Sequence, residues 1–85
     1  MEPETLQRDV SLIAQSILPE CGTKEATSLL LFYFYGRRHT ASILGVSPNT
    51  VRDYVYRARK KLKQQCDIDD VEKLVIERIL KEIYY

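Results

Sequence analysis

Positive charge is concentrated in one segment of this 85-residue chain. Between Gly36 and Gln65 there are eight basic residues and one acid, so the segment carries +7, while the remaining five basic and eleven acidic residues carry −6. The basic residues are Arg37, Arg38, Arg52, Arg57, Arg59, Lys60, Lys61 and Lys63. A solvated helix surface usually mixes both signs, whereas a surface of one sign attracts a polyanion. The pattern therefore predicts one face that binds an anionic polymer.

Catalytic and metal-binding residue sets are missing from the sequence. The one histidine, His39, and the two cysteines, Cys21 and Cys66, are too few and too far apart for a closed metal site. There is no Ser-His-Asp set and no phosphate-cradling glycine loop. We therefore predict that the protein is not an enzyme and uses no cofactor. We expect His39 to cap a helix or contact a phosphate.

The two cysteines leave two alternatives open. Reduced thiols are the expectation for a cytosolic protein, and we favour them. A disulfide between Cys21 and Cys66, as in some hyperthermophile cells, would join the N-terminal segment to the end of the basic segment. By the chain-entropy model such a loop would contribute about 4 kcal/mol of stability.

Length and composition favour one globular domain over residues 1–85. Apolar residues make up 45% of the chain and charged residues 29%, which is typical of a folded domain. There is no apolar run of about 18 residues, so we predict no membrane span. The start, Met1 to Thr5, lacks the basic residues of a signal peptide, so we expect a cytoplasmic protein. No small-molecule ligand is evident.

Apolar spacing and capping residues predict an all-α fold with about five helices, at about 4–18, 24–35, 38–44, 48–64 and 69–84. In the first helix, the apolar face comprises Leu6, Val10, Ile13, Ala14 and Ile17. We expect Thr23 to cap the second helix and Gly36 to end it. Asp69, with Glu72 as its capping-box partner, is expected to open the last helix.

The segment from Leu29 to Tyr35 is apolar on all sides, so alone it is compatible with a buried strand. No second strand candidate exists to pair with it, and a lone strand cannot satisfy its backbone. We therefore predict a helix whose aromatic side chains lie in the core. Stacking on bases is the alternative, but it would require a sheet.

Residues 41–51 have the spacing of a helix-turn-helix. Two helices that cross steeply need a small residue at their contact, a glycine in the turn and an apolar residue that locks the second helix. Ala41, Gly45 and Val51 meet these needs. Ser47 and Pro48 are a strong helix start. The inward face of that helix is predicted to comprise Val51, Val55 (or Tyr54), Ala58 and Leu62.

On these residues the chain resembles the DNA-binding domains of the LuxR/GerE type and region 4 of sigma-70 factors, over about residues 23–62. The segment from Ala41 to Leu62, ASILGVSPNTVRDYVYRARKKL, is similar to their turn and recognition helix, and Thr50-Val51-Arg52 matches their "T-V-K/R" signature. The resemblance implies a tri- or tetra-helical core to which the last helix is added. It also implies that Asn49, Thr50, Arg52 and Asp53 face the groove and that Lys60 and Lys61 lie near the DNA backbone.

Two departures from the family pattern affect the start of the domain. Ala26 occupies the position of the usual acid in the first turn of the second helix, and the stretch between Gly36 and Ala41 is about two residues shorter than usual. The short chain favours a stand-alone regulator, such as plasmids and viruses encode, over a whole sigma factor.

The function that we predict is sequence-specific binding of double-stranded DNA by a transcriptional regulator, with the helix at 48–64 in the major groove. We expect bases to be read by Asn49, Thr50, Arg52, Asp53 and Tyr56. We expect the DNA backbone to be contacted by Arg37, Arg38, His39, Ser47, Arg57, Lys60, Lys61 and Lys63. Asp53 has an equal alternative, which is to orient Arg52 or Arg57. Arg59 is expected to point elsewhere.

A single such module makes few base contacts, so we favour a homodimer on two half-sites. Its predicted seam comprises Val71, Leu74, Val75, Ile79 and Ile83. Packing of this stripe on the first helix of the same chain is the alternative. The rival function is a protein-interaction module, such as an anti-activator or polymerase-binding adaptor, and an RNA binder is less favoured because the major groove of RNA is deep and narrow.

Overall fold

The structure is a computed structural model that describes residues 3–84, with side chains from residue 8 onward. Its helices are α1 (Pro3–Ile17), α2 (Thr23–Leu44), α3 (Pro48–Cys66) and α4 (Val71–Tyr84). At Gly36, with φ 82° and ψ 172°, α2 is interrupted by a kink, so its two segments correspond to two of the five predicted helices. The all-α prediction is confirmed, since residues 3–84 contain no strand.

One hydrophobic core lies between the four helices. α2 packs on α1 and most extensively on α3, and α4 packs on both α1 and α3. The fully buried side chains include Leu18 after α1, Leu29 in α2, Leu62 in α3 and Val75 in α4. Burial of each such side chain stabilises the fold by about 1.5–3 kcal/mol, which explains why a chain this short can fold around a single core.

The face that α1 buries differs from the predicted one at one position. Ala14 and Ile17 are buried and Val10 packs against the core, but Ile13 is 47% exposed. Leu6, which was also predicted for this face, precedes the residues whose side chains the structure describes. Pro19 follows the last α1 hydrogen bond, from Leu18 N to Ala14 O, and the residue before a proline disfavours the helical conformation.

The predicted caps of α2 and α4 are each displaced by one residue. Gly22, and not Thr23, is the N-cap of α2, while the Thr23 hydroxyl donates to Gln15 Oε1. In α4 the carboxylate of Asp70, and not that of Asp69, accepts from Lys73 N at 3.0 Å. The capping-box role predicted for Glu72 therefore has no counterpart in the structure.

The apolar segment from Leu29 to Tyr35 is helical, as predicted, but only part of it is buried in the core. Leu29, Leu30 and Leu31 are buried, and Phe32 and Tyr33 are half-buried. The predicted burial of the last two aromatic residues is wrong, because Phe34 is 62% exposed and Tyr35 is 46% exposed. The kink at Gly36 follows them directly.

Candidate nucleic-acid interface

The turn between α2 and α3 sets the direction of α3. Gly45 has φ 70° and ψ 33°, a left-handed conformation that glycine adopts without strain. Its N–H donates to Ser42 O, and the N–H of Val46 donates to Ala41 O. This pair of bonds is the Schellman pattern, which closes the carbonyl end of a helix. Ala41 is buried, as its predicted role at the helix contact requires.

α3 begins as the sequence predicted. Ser47 is the N-cap and its hydroxyl oxygen accepts from Thr50 N at 3.2 Å, with Pro48 at the first helical position. The Ser47 and Thr50 hydroxyls lie 2.9 Å apart. Because both hydroxyls bond within the cap, the structure gives each of them a structural role at the start of the helix.

The two faces of α3 differ in burial and in chemistry. Val51, Val55, Ala58 and Leu62 are buried, so the predicted inward face is confirmed, and Tyr54 is half-buried beside it. The opposite face is exposed along most of the helix and comprises Asn49, Arg52, Asp53, Tyr56, Arg57, Lys60, Lys63 and Gln64. This spacing of three and four residues places the polar set on one side of the helix.

Four of the five predicted base-reading residues are exposed on this face. Tyr56 is 66% exposed, and the side chains of Arg52 and Asp53 are 62% and 60% exposed. Arg52 Nε lies 3.8 Å from Asp53 Oδ1, so the alternative in which Asp53 orients Arg52 is compatible with the geometry. Such an exposed pair is worth little in water, so Arg52 is available to another acceptor.

The exposed residues that were predicted to contact the DNA backbone form two groups. Arg37, Arg38 and His39 are exposed at the start of the second segment of α2, while Arg57, Lys60 and Lys63 are exposed on α3. The His39 ring lies near the Tyr35 ring, with centroids 5.3 Å apart. The two groups of cations belong to the two helices that the turn joins.

Two basic residues of α3 bond to the protein and not to solvent alone. Lys61 Nζ donates to Glu25 Oε1 at 2.6 Å, so this predicted DNA contact has a partner within the fold. Arg59 Nη1 donates to the Tyr33 hydroxyl at 3.0 Å, which confirms that Arg59 points elsewhere. Both bonds join α3 to the first half of α2 and fix the rotation of α3 about its axis.

Glu25 is the acid in the first turn of α2. Because α2 starts one residue earlier than predicted, Glu25 occupies the third helical position, and its Oε1 also accepts from Gly22 N at 3.0 Å. Burial acts to raise the pKa of Glu25, but the hydrogen bonds from Lys61 and Gly22 outweigh it and lower the pKa. The first turn of α2 therefore contains an acid, one residue before Ala26.

Both cysteines are free thiols, so the structure shows the reduced alternative and not a disulfide between Cys21 and Cys66. Cys21 Sγ donates to Ala58 O at 3.7 Å, and Cys66 Sγ donates to Glu20 Oε2 at 3.3 Å. Burial, followed by the nearby Glu25 carboxylate, raises the pKa of Cys21 to about 11. Burial and the hydrogen bond to Glu20 raise the pKa of Cys66.

The predicted dimer stripe on α4 is divided by the structure. Val71 and Val75 are buried inside the chain, and Leu74 and Ile79 pack partly against the same core, as the alternative of internal packing required. Val71 and Val75 are therefore unavailable to a second copy, whereas Ile83 is 68% exposed. Exposed apolar residues that were not predicted for the seam are Ile76, Leu80 and Tyr84.

Within residues 3–84 there is no group of three or more His, Cys, Asp or Glu side chains that could hold a metal ion. None of the four helices is long and apolar enough to cross a membrane.

The turn at Gly45, the cap at Ser47 and the polar outer face of α3 define a helix-turn-helix domain. Residues 22–62 match the family model of sigma-70, region 4, so this part of the chain is similar to the helix-turn-helix of that family. Such a domain indicates DNA binding or interaction with RNA polymerase. All of α1 and all of α4 lie outside the matched residues. Searches of curated proteins and of solved structures gave no significant match.

Proposed function

We propose that this chain is a transcriptional regulator that binds specific sequences of double-stranded DNA through α3. The observation that carries the proposal is the outer face of α3, where Asn49, Arg52 and Tyr56 are exposed next to three exposed cations. An α-helix is about 10–12 Å across and the major groove about 12 Å wide, so one helix fills the groove. As regulators of transcription act on the chromosome, the proposal places the protein in the cytoplasm with the nucleoid.

Base reading would fall to the first half of α3. The rise from Asn49 to Tyr56 is about 10 Å at 1.5 Å per residue, which corresponds to about three base pairs. Arg52 can donate two hydrogen bonds to guanine, and Asn49 can pair with adenine. Asp53 would accept from cytosine or hold Arg52 in place. Thr50 would contribute less, because its hydroxyl bonds to Ser47 in the cap.

Phosphate binding would come from the exposed cations on both sides of the turn. Arg37, Arg38 and His39 precede it, whereas Arg57, Lys60 and Lys63 follow it on α3. These contacts give affinity and position the helix without reading sequence. Lys61 is directed at Glu25, so we assign it to the scaffold and not to the phosphates.

A homodimer would place two recognition helices on half-sites about one helical turn apart. The exposed apolar residues of α4 that can form its seam are Ile76, Leu80 and Ile83, which follow each other at spacings of four and three. Leu74 and Ile79, which are partly exposed at the edge of the core, would border this seam.

Binding selection from random duplex DNA at ~150 mM salt tests the proposed function. An enriched palindrome or direct repeat is the expected result, and its half-site spacing gives the dimer geometry. Binding without an enriched motif would overturn sequence-specific recognition. Absence of binding would overturn DNA binding altogether.

Sedimentation of the full chain tests the dimer separately. Changing Ile76 and Leu80 to Glu should convert a dimer to a monomer, because the new carboxylates would be buried unpaired in the seam. Lys73→Glu, at another exposed position of α4, is the matched control and should leave the dimer intact. A monomeric unmodified chain on operator DNA would refute the seam.

The second candidate function is binding of RNA polymerase or another regulator. The exposed aromatic side chains of Phe34 and Tyr35 favour it, because protein interfaces are enriched in such residues. Salt distinguishes the two functions. DNA binding through many phosphates weakens steeply as salt rises, whereas an apolar protein contact does not.

A further inference from the structure

Two basic residues, Arg59 and Lys61, lie at opposite edges of the outer face of α3. They are two residues apart, which on an α-helix corresponds to about 200° of rotation. Arg59 borders the same surface groove as Tyr56 and Lys63, and Lys61 follows Arg57 by four residues. Residues three and four apart are neighbours on a helix, so each cation lies next to an exposed residue of the outer face. Both side chains are long and flexible and can turn toward a polyanion bound there.

In the structure both cations are instead held by acceptors of α2. Arg59 Nη1 donates to the Tyr33 hydroxyl at 3.0 Å, and Lys61 Nζ donates to Glu25 Oε1 at 2.6 Å. Hydrogen bonds from a charged donor are stronger than those between two neutral groups. The two bonds therefore oppose movement of the cations toward the outer face.

The two acceptors are themselves held in place by the fold. Tyr33 packs against the core, and its ring makes an edge contact with Phe32, with the ring centroids 5.9 Å apart. The Glu25 side chain is 13% exposed, and its Oε1 also accepts from Gly22 N at 3.0 Å. Each bond thus joins a fixed acceptor to a flexible cationic side chain, so the acceptor sets where the cation lies.

The number of free cations on a protein decides how strongly it binds DNA of any sequence. Each phosphate that a cation neutralises releases counterions, which adds affinity and steepens the salt dependence by about 0.9 units. Such contacts carry no sequence information. An added contact therefore strengthens binding to random sequences and lengthens the time that the protein spends on them.

We propose that Tyr33 and Glu25 withhold Arg59 and Lys61 from polyanions and so limit the sequence-independent binding of DNA by α3. The inference rests on the proposed function, because DNA is the polyanion in question. The withholding itself is a property of the side chains and can be measured with another polyanion. It gives two residues of α2, which act only through their partners on α3, a role in setting DNA affinity.

Removal of an acceptor should strengthen binding, which the loss of a merely structural bond would not do. Tyr33→Phe keeps the ring and removes the hydroxyl, so Arg59 is released. When the full chain is titrated onto a duplex of random sequence at several salt concentrations, we expect several-fold higher affinity and a salt slope steeper by about one unit. Tyr84→Phe, the same change at an exposed position of α4, is the matched control and should bind as the unmodified chain does. Equal or weaker binding by Tyr33→Phe would overturn the proposal for Arg59.

Glu25→Gln tests the second acceptor. The amide oxygen can still accept from Gly22 N and keep the cap, while the ionic attraction on Lys61 is lost. We expect higher affinity for the random duplex and a salt slope steeper by up to about one unit. Glu77→Gln removes the same charge at an exposed position of α4, so it reports the gain that net charge alone produces. Equal gains in the two variants would refute the withholding of Lys61.

A second substitution identifies the cation that Tyr33→Phe releases. Arg59→Gln alone should bind the random duplex nearly as the unmodified chain does, because Arg59 is already withheld. In the Tyr33→Phe background the same change should remove the gain. A gain that persists in the double variant would overturn the assignment to Arg59. If Tyr33→Phe fails to fold, the comparison of Glu25→Gln with Glu77→Gln decides the proposal.

Elution from heparin distinguishes this inference from the proposed function. Heparin is a polyanion without bases, so Tyr33→Phe should elute at higher salt than the unmodified chain. Elution of both at the same salt would overturn the withholding of Arg59. A chain that shows the expected difference on heparin but binds no duplex DNA would refute only the proposed function.

Discussion

Glu20 and Arg78 form a two-pronged ion pair, in which Arg78 Nη1 donates to Oε1 and Nη2 donates to Oε2, each at 2.8 Å. Arg78 Nη1 also donates to Ile17 O at 2.9 Å. The pair joins the segment between α1 and α2 to the middle of α4, and Cys66 at the end of α3 bonds to the same carboxylate. The two side chains are 19% and 26% exposed, so solvent screens this pair less than a surface pair.

This pair predicts a loss of stability in acid. The hydrogen bonds from Arg78 lower the pKa of Glu20 from 4.5 to about 2. A depressed pKa in the folded state contributes stability above the unfolded value, and that contribution is lost as the pH falls from 4.5 toward 2. We expect the free energy of unfolding to fall by at most about 3 kcal/mol over this window from Glu20 alone.

Urea denaturation across that pH window measures the contribution. Glu20→Gln should be less stable at neutral pH and should lose much of the acid dependence. Glu82→Gln, which changes an exposed acid of α4, is the matched control and should keep the dependence of the unmodified chain. An acid dependence in Glu20→Gln equal to that of the unmodified chain would contradict the assignment.

The left-handed conformation of Gly45 predicts that a side chain at this position lowers stability through backbone strain and not through a steric clash. A Cβ added at Gly45 would meet no atom within 4 Å, so Gly45→Ala should destabilise only through its φ of 70°, by about 1–2 kcal/mol. Thermal or urea unfolding measures this effect.

Asp67 allows the reverse substitution, in which a residue with positive φ is replaced by glycine. It ends α3 with φ 51° and ψ 53°, a left-handed conformation in which an aspartate is strained. Asp67→Gly should therefore stabilise the chain by up to about 1 kcal/mol. Destabilisation by both substitutions would show that something other than the sign of φ decides stability at these positions.

Arg52→Ala tests the base-reading assignment. We expect DNA affinity to fall by about 1–3 kcal/mol and specificity to relax at one base pair, because a paired contact to guanine is lost. Stability should change by less than about 0.5 kcal/mol, because the side chain is exposed. Arg8→Ala, which removes an exposed arginine of α1, is the control. An unchanged base preference would refute the assignment.

Lys60 and Lys61 are adjacent but are predicted to behave differently. Lys60→Ala should weaken binding to all sequences about equally and reduce the salt slope by about one unit, because an exposed phosphate contact is lost. Lys61→Ala should leave the salt slope nearly unchanged and lower stability by about 1 kcal/mol or less, since Lys61 is half-exposed and bonds Glu25. Binding titrations at several salt concentrations separate them, and equal slopes for both variants would contradict the proposed roles.

Features set by neighbouring residues could be predicted from the sequence. Gly45, Ser47 and Pro48 define the turn and the start of α3 through local conformational preferences, and the inward face follows from the helical period. Helix starts were displaced by one residue where two adjacent residues could act as caps. At α4, Asp70 and not Asp69 accepts the capping hydrogen bond, and the next residue, Val71, is buried.

Features set by distant residues could not be predicted. Glu20 and Arg78 are 58 positions apart, and nothing in their local sequence indicates that they meet. Lys61 looked like a phosphate contact because its partner Glu25 lies 36 positions away. Phe34 and Tyr35 looked like core residues because the sequence does not reveal that no helix covers this end of the first half of α2.

In α3 the residues that hold the helix in place are separate from the residues that are exposed to a partner. Its orientation is fixed by the apolar inner face, by Arg59 on Tyr33 and by Lys61 on Glu25, while Asn49 and Tyr56 remain exposed. Exposed positions usually tolerate substitution within about 0.5 kcal/mol of stability. If α3 reads DNA as proposed, mutations on its outer face can change the sequence that is bound without a large loss of stability, so binding preference and stability can evolve independently.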